Sequence, residues 1–276
     1  MRYRLWTWGP EAGMPVVLLH GWGDCGATWQ FVADHLPEHW RLVAPDWRGF
    51  GDSAWSSGGY WFPDYLADLD ALLHTLCPDR PVALVGHSMG GNVASIYAAA
   101  RPERVARIAN LEGFGLRDAD PVEAPARYRR WLDELSEPVP FSTYRDIDAL
   151  ARRLARRNPH VPHDRALFVA EAWTAPTATG ERALRTDPAH RRVNPILYRR
   201  AEAEACWHEV AAPVLFMVAR DSHFLERGRQ QFVDPDFGAA HYRDLTETWL
   251  DDCGHMMHWE RPEAVAEALA AFIDPG

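Results

Sequence analysis

The chain has 276 residues, 47% of them apolar, enough for one large α/β domain or a core with an insertion. Its 29 Lys and Arg against 39 Asp and Glu leave a formal charge of −10, which repels phosphate backbones and excludes a basic stripe for nucleic acid. No run is long and apolar enough to span a bilayer and the N-terminus has no leader-like apolar core, so a cytoplasmic protein without a membrane partner is expected.

Cys25, Cys77, Cys206 and Cys253 are scattered, with no C-x-x-C pair and no zinc-like histidine spacing; they read as reduced, mostly buried thiols, and no metal is expected. Thirteen tryptophans are the compositional oddity. Most lie near loops, where large aromatics either wall a pocket or fill the core beside helices.

In chain order, residues 2–8 alternate and end at Gly9-Pro10, an edge strand closed by a turn. Val16 to Leu19 is a fully apolar run, as for a central parallel strand, and leads into His20-Gly21-Trp22-Gly23. A helix over 28–36 and a strand over 41–46 follow, then the glycine-rich loop from Asp46 to Ser53, read as a scaffold beside the site. Tyr65, Leu66, Leu69, Leu72, Leu73 and Leu76 mark an amphipathic helix over 62–76 with Pro63 in its first turn.

Next, Val82 to Val85 break into Gly86-His87-Ser88-Met89-Gly90-Gly91, and a helix resumes with Val93, Ile96 and Tyr97. Strand, G-x-S-x-G and helix in that order match a nucleophile elbow, a turn so tight that glycines must flank the serine. Ser88 is therefore the candidate nucleophile. A strand over 105–111 ends at Glu112-Gly113, completing a β-α-β-α-β order that implies a parallel sheet covered on both faces.

From 115 to 207 the character changes. Prolines punctuate Arg- and Ala-rich segments with hardly any β-branched runs, which predicts a helical cap inserted into a core formed by 1–114 and 208–276. Tyr128, Trp131, Leu132 and Leu135 share one helical face, and Tyr128, Trp131, Trp173 and Trp207 either line a pocket or pack the cap on the core. No exposed apolar lid helix of strong amphipathicity is read in this segment, which disfavours a lipase acting on aggregated lipid. The paired arginines at 152–153 and 156–157 read as a solvated helix face. The sheet resumes over 214–219, leading to Asp221. A further strand over 247–250 leads to Asp252-Cys253-Gly254-His255, and the last helix covers 262–273.

A serine hydroxyl needs a histidine base and a carboxylate that fixes the imidazole's tautomer. His255, directly after a late strand, fits the base, with His258 as the spare candidate.

Four stretches, His20-Gly21-Trp22-Gly23, Asp46 to Ser53, Gly86 to Gly91 and Gly254-His255, resemble the α/β-hydrolase family over nearly the whole chain apart from the insertion. The resemblance implies a mostly parallel central β-sheet with helices on both faces, and the chain order nucleophile, acid, histidine. It implies Asp221 as the acid and the backbone N–H groups of Trp22 and Met89 as the oxyanion hole. The segment before Asp221 lacks the glycine common there, and Glu112 ends a strand from which some branches supply the carboxylate, so Glu112 is the alternative acid. A serine rather than an aspartate at the elbow points to acyl chemistry instead of displacement at carbon.

The expectation is a cofactor-free serine esterase for a small or medium ester. Thioester, amide or C–C bond cleavage, acyl transfer, and a ligand receptor with little turnover stand as alternatives.

Overall fold

The computed structural model describes residues 1–226 and 233–274. In chain order the elements are β1 (Leu5–Trp8), β2 (Met14–Leu19), α1 (Gln30–Ala33), β3 (Trp40–Pro45), α2 (Phe62–Leu76), β4 (Val82–His87), α3 (Met89–Ala100) and β5 (Val105–Leu111). Then come α4 (Ala124–Ser136), β6 (Thr143–Tyr144), α5 (Ile147–Arg157), α6 (His163–Ala172), β7 (Thr174–Pro176), β8 (Arg182–Leu184) and α7 (Arg200–Glu209). The chain closes with β9 (Val214–Ala219), α8 (Phe237–His241), β10 (Leu245–Leu250), α9 (Met257–Glu260) and α10 (Pro262–Ile273).

Seven strands form one sheet in the order β1-β3-β2-β4-β5-β9-β10, parallel throughout except for the edge strand β1, which runs antiparallel to β3. The central strands are apolar on both sides because both faces are covered. Val17, Leu19, Leu84, Ile108 and Phe216 point into one core cluster, while their neighbours Val16, Leu18, Val85, Ala109 and Met217 point into the other. The result is a mostly parallel sheet with helices around it, as expected.

The order reverses between β2 and β4, which pair in register from Val16 with Ala83 to Leu19 with Gly86. Ligands of open α/β sheets bind outside the carboxyl ends of the strands at such a switch point. Here it brings the turn after Leu19 against the turn after His87. The ends of β5, β9 and β10 lie along the same edge, with Leu111 paired to Met217 and Leu250 to Ala219.

Between β5 and β9 the structure holds more than helices. β6, β8 and β7 form a small antiparallel sheet, from strands of two or three residues that carry no periodic signal. α5 and α6 pack on it with their own core of Leu150, Leu154, Val161 and Val169, joined by Trp259 from α9. Trp207 is fully buried in the main core against Phe237, so it packs rather than lines a pocket.

α4 differs from the sequence reading. None of its residues is buried, and Tyr128, Leu132 and Leu135, which share one helical face, are each about half exposed. α4 therefore presents an exposed face that carries apolar side chains. The shared face of Tyr128, Leu132 and Leu135 is as the spacing predicts; what periodicity does not report is that no neighbouring element covers it. Among the described residues no helix is long and apolar enough to cross a membrane.

Candidate active site

Ser88 occupies the turn between β4 and α3 with φ 52° and ψ −113°, a conformation L-residues avoid. Surrounding backbone enforces it. A Cβ at Gly86 would overlap the Gly90 carbonyl, and one at Gly90 would overlap the Leu19 carbonyl oxygen, so only glycine fits either side of the serine. The Ser88 N–H donates to Leu111 O at 2.8 Å. Neither Trp22 N–H nor Met89 N–H donates to any acceptor among the described residues. The two turns touch, since a Cβ on Gly21 would fall 3.2 Å from Ser88 Cβ.

His255 lies on the loop between β10 and α9. Its Nδ1 is 2.7 Å from Glu112 Oε2. The Glu112 carboxylate is inaccessible to solvent and accepts two further bonds, from Ala219 N to Oε1 at 2.9 Å and from Ser222 Oγ to Oε2 at 2.8 Å. Glu112 itself has φ 53°, and the turn is braced by Asn110 Oδ1, which accepts from Gly113 N at 2.7 Å.

Asp221, the leading acid of the sequence reading, is not brought to His255. Asp221 does follow β9, but its side chain is 54% exposed and its carboxylate meets His160 Nε2 at 3.2 Å instead of His255. The loop after β9 contributes differently: the neighbouring Ser222 holds Glu112, and Phe224 places its ring edge-on, 4.7 Å from that of His255. The longer glutamate reaches from β5 what the aspartate does not reach from β9.

Electrostatics follow from burial. Removing the carboxylate from water pushes Glu112 up to about 7, opposed by the bonds from Ala219 and Ser222, and burial pushes His255 down to about 3. Both effects disfavour charge on the isolated group, and the two share one proton across a 2.7 Å contact.

His258, the spare base, is fully buried with Nε2 3.0 Å from Asp24 Oδ2, and burial pushes it down to about 3. It is held away from solvent and faces His87, not Ser88. Asp24, His87 and His258, all buried, offer one potential cation-ligand atom each within 4.8 Å of one another. No local spacing could signal this group, because Asp24 and His258 are 234 residues apart. The Asp46 loop is a scaffold in the structure too: Asp46 accepts from Gly26 N at 2.7 Å, Trp6 Nε1 at 3.1 Å and Asp52 N at 2.9 Å.

Residues 14–262 match the family model of the alpha/beta hydrolase fold. The chain is 28% identical to a serine hydrolase-like protein of Danio rerio, over 98% of this chain and 84% of that protein. It is 26% identical to the 2-(acetamidomethylene)succinate hydrolase of Mesorhizobium japonicum, over 95% and 89%. Among solved structures, the thioesterase domain from the curacin biosynthetic pathway superposes with a TM-score of 0.83 at 24% identity, covering 96% of this chain and 94% of that one. With the family model matched across nearly its whole length, the chain belongs to the α/β-hydrolase fold family.

Proposed function

We propose that the protein is a serine hydrolase that cleaves a small or medium carboxylic ester through an acyl-enzyme on Ser88, with His255 as base and Glu112 as the supporting acid. The observation that carries the reading is the 2.7 Å contact of buried Glu112 with His255 Nδ1, on the same sheet edge as a serine in a strained elbow. An ionised Glu112 keeps the imidazole proton on Nδ1, leaving Nε2 free to accept the Ser88 proton, and stabilises the imidazolium that forms.

In the first step Ser88 Oγ bonds to the ester carbonyl carbon, its proton passes to His255, and the negative charge settles on the carbonyl oxygen. The N–H groups of Trp22 and Met89 are the donors for that oxyanion; a single donor of this kind is worth about two to three orders of magnitude in rate. Collapse expels the alcohol, which takes the proton from His255. Water then gives a proton to His255 and attacks the acyl-enzyme, releasing the acid and restoring Ser88.

The inserted segment 115–207, whose Trp131 on α4 meets the ring of Trp61 from the core in edge contact at 6.4 Å, is proposed as the cap that selects the acyl or alcohol group. Related acyl chemistry uses the same residues. The test is labelling with a fluorophosphonate, expected at Ser88 and absent in Ser88→Ala, followed by a panel of p-nitrophenyl esters, thioesters and amides. Because α4 exposes an apolar face, the panel includes an emulsified long-chain ester. Turnover of a p-nitrophenyl ester that persists undiminished in Ser88→Ala sinks the proposal.

A further inference from the structure

Behind the catalytic histidine lies a second carboxylate–imidazole pair for which the reaction has no direct use. Asp24, 3% exposed, stands two residues after Trp22 on the turn that carries the proposed oxyanion donor. Its carboxylate takes bonds from Cys25 N at 2.8 Å, Thr28 Oγ1 at 2.9 and 3.0 Å, Trp173 Nε1 at 2.9 Å and His258 Nε2 at 3.0 Å. These donors come from its own turn, the helical turn that follows, the end of α6 in the insertion, and α9 just past His255. Burying a carboxylate costs several kcal/mol unless it is well partnered, so an anion at this place demands the convergence.

The pair connects onward. The His258 ring lies 4.4 Å from that of His87, the residue before Ser88, and the His87 ring lies 4.6 Å from that of His255. His87 Nε2 donates to His255 O at 2.8 Å, while a Cβ on Gly21 would meet His87 Nδ1 at 2.9 Å. The turn that presents Trp22 N–H is thus packed on His87 and fastened through Asp24 to Trp173. Asp24 and the two histidines suit a cation by residue type; both carboxylate oxygens accept hydrogen bonds, while His87 Nδ1 and His258 Nδ1 have no partner among the described residues.

We infer that Asp24 is a positioning residue: through Trp173 Nε1 it ties the oxyanion turn to the inserted segment, so that the docking of this segment sets the aim of Trp22 N–H at the reacting carbonyl. The inference rests on the proposed serine chemistry at Ser88. Misplacing a donor by a fraction of an ångström forfeits part of its contribution, on the order of 10-fold.

Trp173→Phe removes one N–H and keeps a ring against Trp259, whose centroid is 5.4 Å away. It should lower kcat about 10-fold with KM nearly unchanged, and raise Ki for a trifluoromethyl ketone, which mimics the tetrahedral oxyanion, by the same factor as kcat/KM falls. Asp24→Asn keeps an acceptor oxygen for the turn and should retain more activity than Asp24→Ala. A loss confined to KM, or an unchanged Ki in Trp173→Phe, overturns the positioning role. Failure of the wild-type protein to label at Ser88 with fluorophosphonate overturns the underlying chemistry instead, so the two failures are distinguishable.

Discussion

Glu112 Oε2 approaches His255 Nδ1 to 2.7 Å across 143 residues of chain, while Asp221 turns its carboxylate to His160. If Glu112 is the acid, replacing it with an isosteric amide leaves the shape and removes the charge that fixes the tautomer. Glu112→Gln should lower kcat by about four orders of magnitude. Asp221→Asn, which changes only a surface contact with His160, should stay within about 3-fold of wild type. Parallel steady-state assays on one ester decide it, and the opposite ranking would return the role to Asp221.

The same contact sets the pH dependence. Burial pushes Glu112 up to about 7, so below that pH the carboxyl keeps its proton and donates it in a hydrogen bond to His255 Nδ1, which leaves the ring proton on Nε2, the inactive tautomer. kcat/KM should therefore rise with pH through about 7, although burial alone would place the histidine's own titration far lower. The Ser222 hydroxyl bonds to the carboxylate and lowers its pKa. Ser222→Ala should therefore move the acidic limb upward. A profile flat from about pH 5 to 9 would contradict both statements.

Stability carries the complementary sign. The folded carboxyl of Glu112 holds its proton up to about 7 against 4.5 in the open chain, so the native state binds more protons between these values. Its stabilising contribution is complete below pH 4.5 and fades as pH rises through 7. Relative to wild type, Glu112→Gln should look worst at and below pH 4.5 and gain about 3 kcal/mol by pH 8, at roughly 1.4 kcal/mol per pH unit over the window. Urea unfolding of both proteins at several pH values measures the difference, and a constant offset would show that Glu112 titrates normally.

The strands and the elbow were legible because apolar runs and glycines report local needs. The predicted bounds 105–111, 214–219, 62–76 and 262–273 coincide with β5, β9, α2 and α10. The carboxylate that meets His255 was not legible in the same way, since Glu112 and Asp221 both follow strand ends and spacing does not say which side chain turns toward the histidine. That choice depends on a positive φ at Glu112, braced by Asn110, and on a hydroxyl at Ser222. Asp24 and His258 were invisible as a pair for a related reason: tertiary packing alone brings them together, and Asp24 reads as an ordinary loop residue.

Gly90 of the elbow and Gly23 of the turn after β2 supply the last prediction, because the two positions separate crowding from backbone conformation. At Gly90 an added Cβ would overlap Leu19 O, a backbone atom of the central strand that cannot move without disturbing its pairing with β4. Gly23 has φ +80° but nothing within 4 Å of where a Cβ would stand, so alanine there meets only the cost of a left-handed backbone. Gly23→Ala should therefore lose about 1–2 kcal/mol. Gly90→Ala should lose about 3 kcal/mol or more and also displace Ser88. Urea denaturation ranks the two, and fluorophosphonate labelling reports the elbow: Gly23→Ala should still react at Ser88, whereas Gly90→Ala should react far more slowly. Equal losses in both variants would mean that β2 yields at Leu19 and that the elbow is less tightly built than its contacts imply.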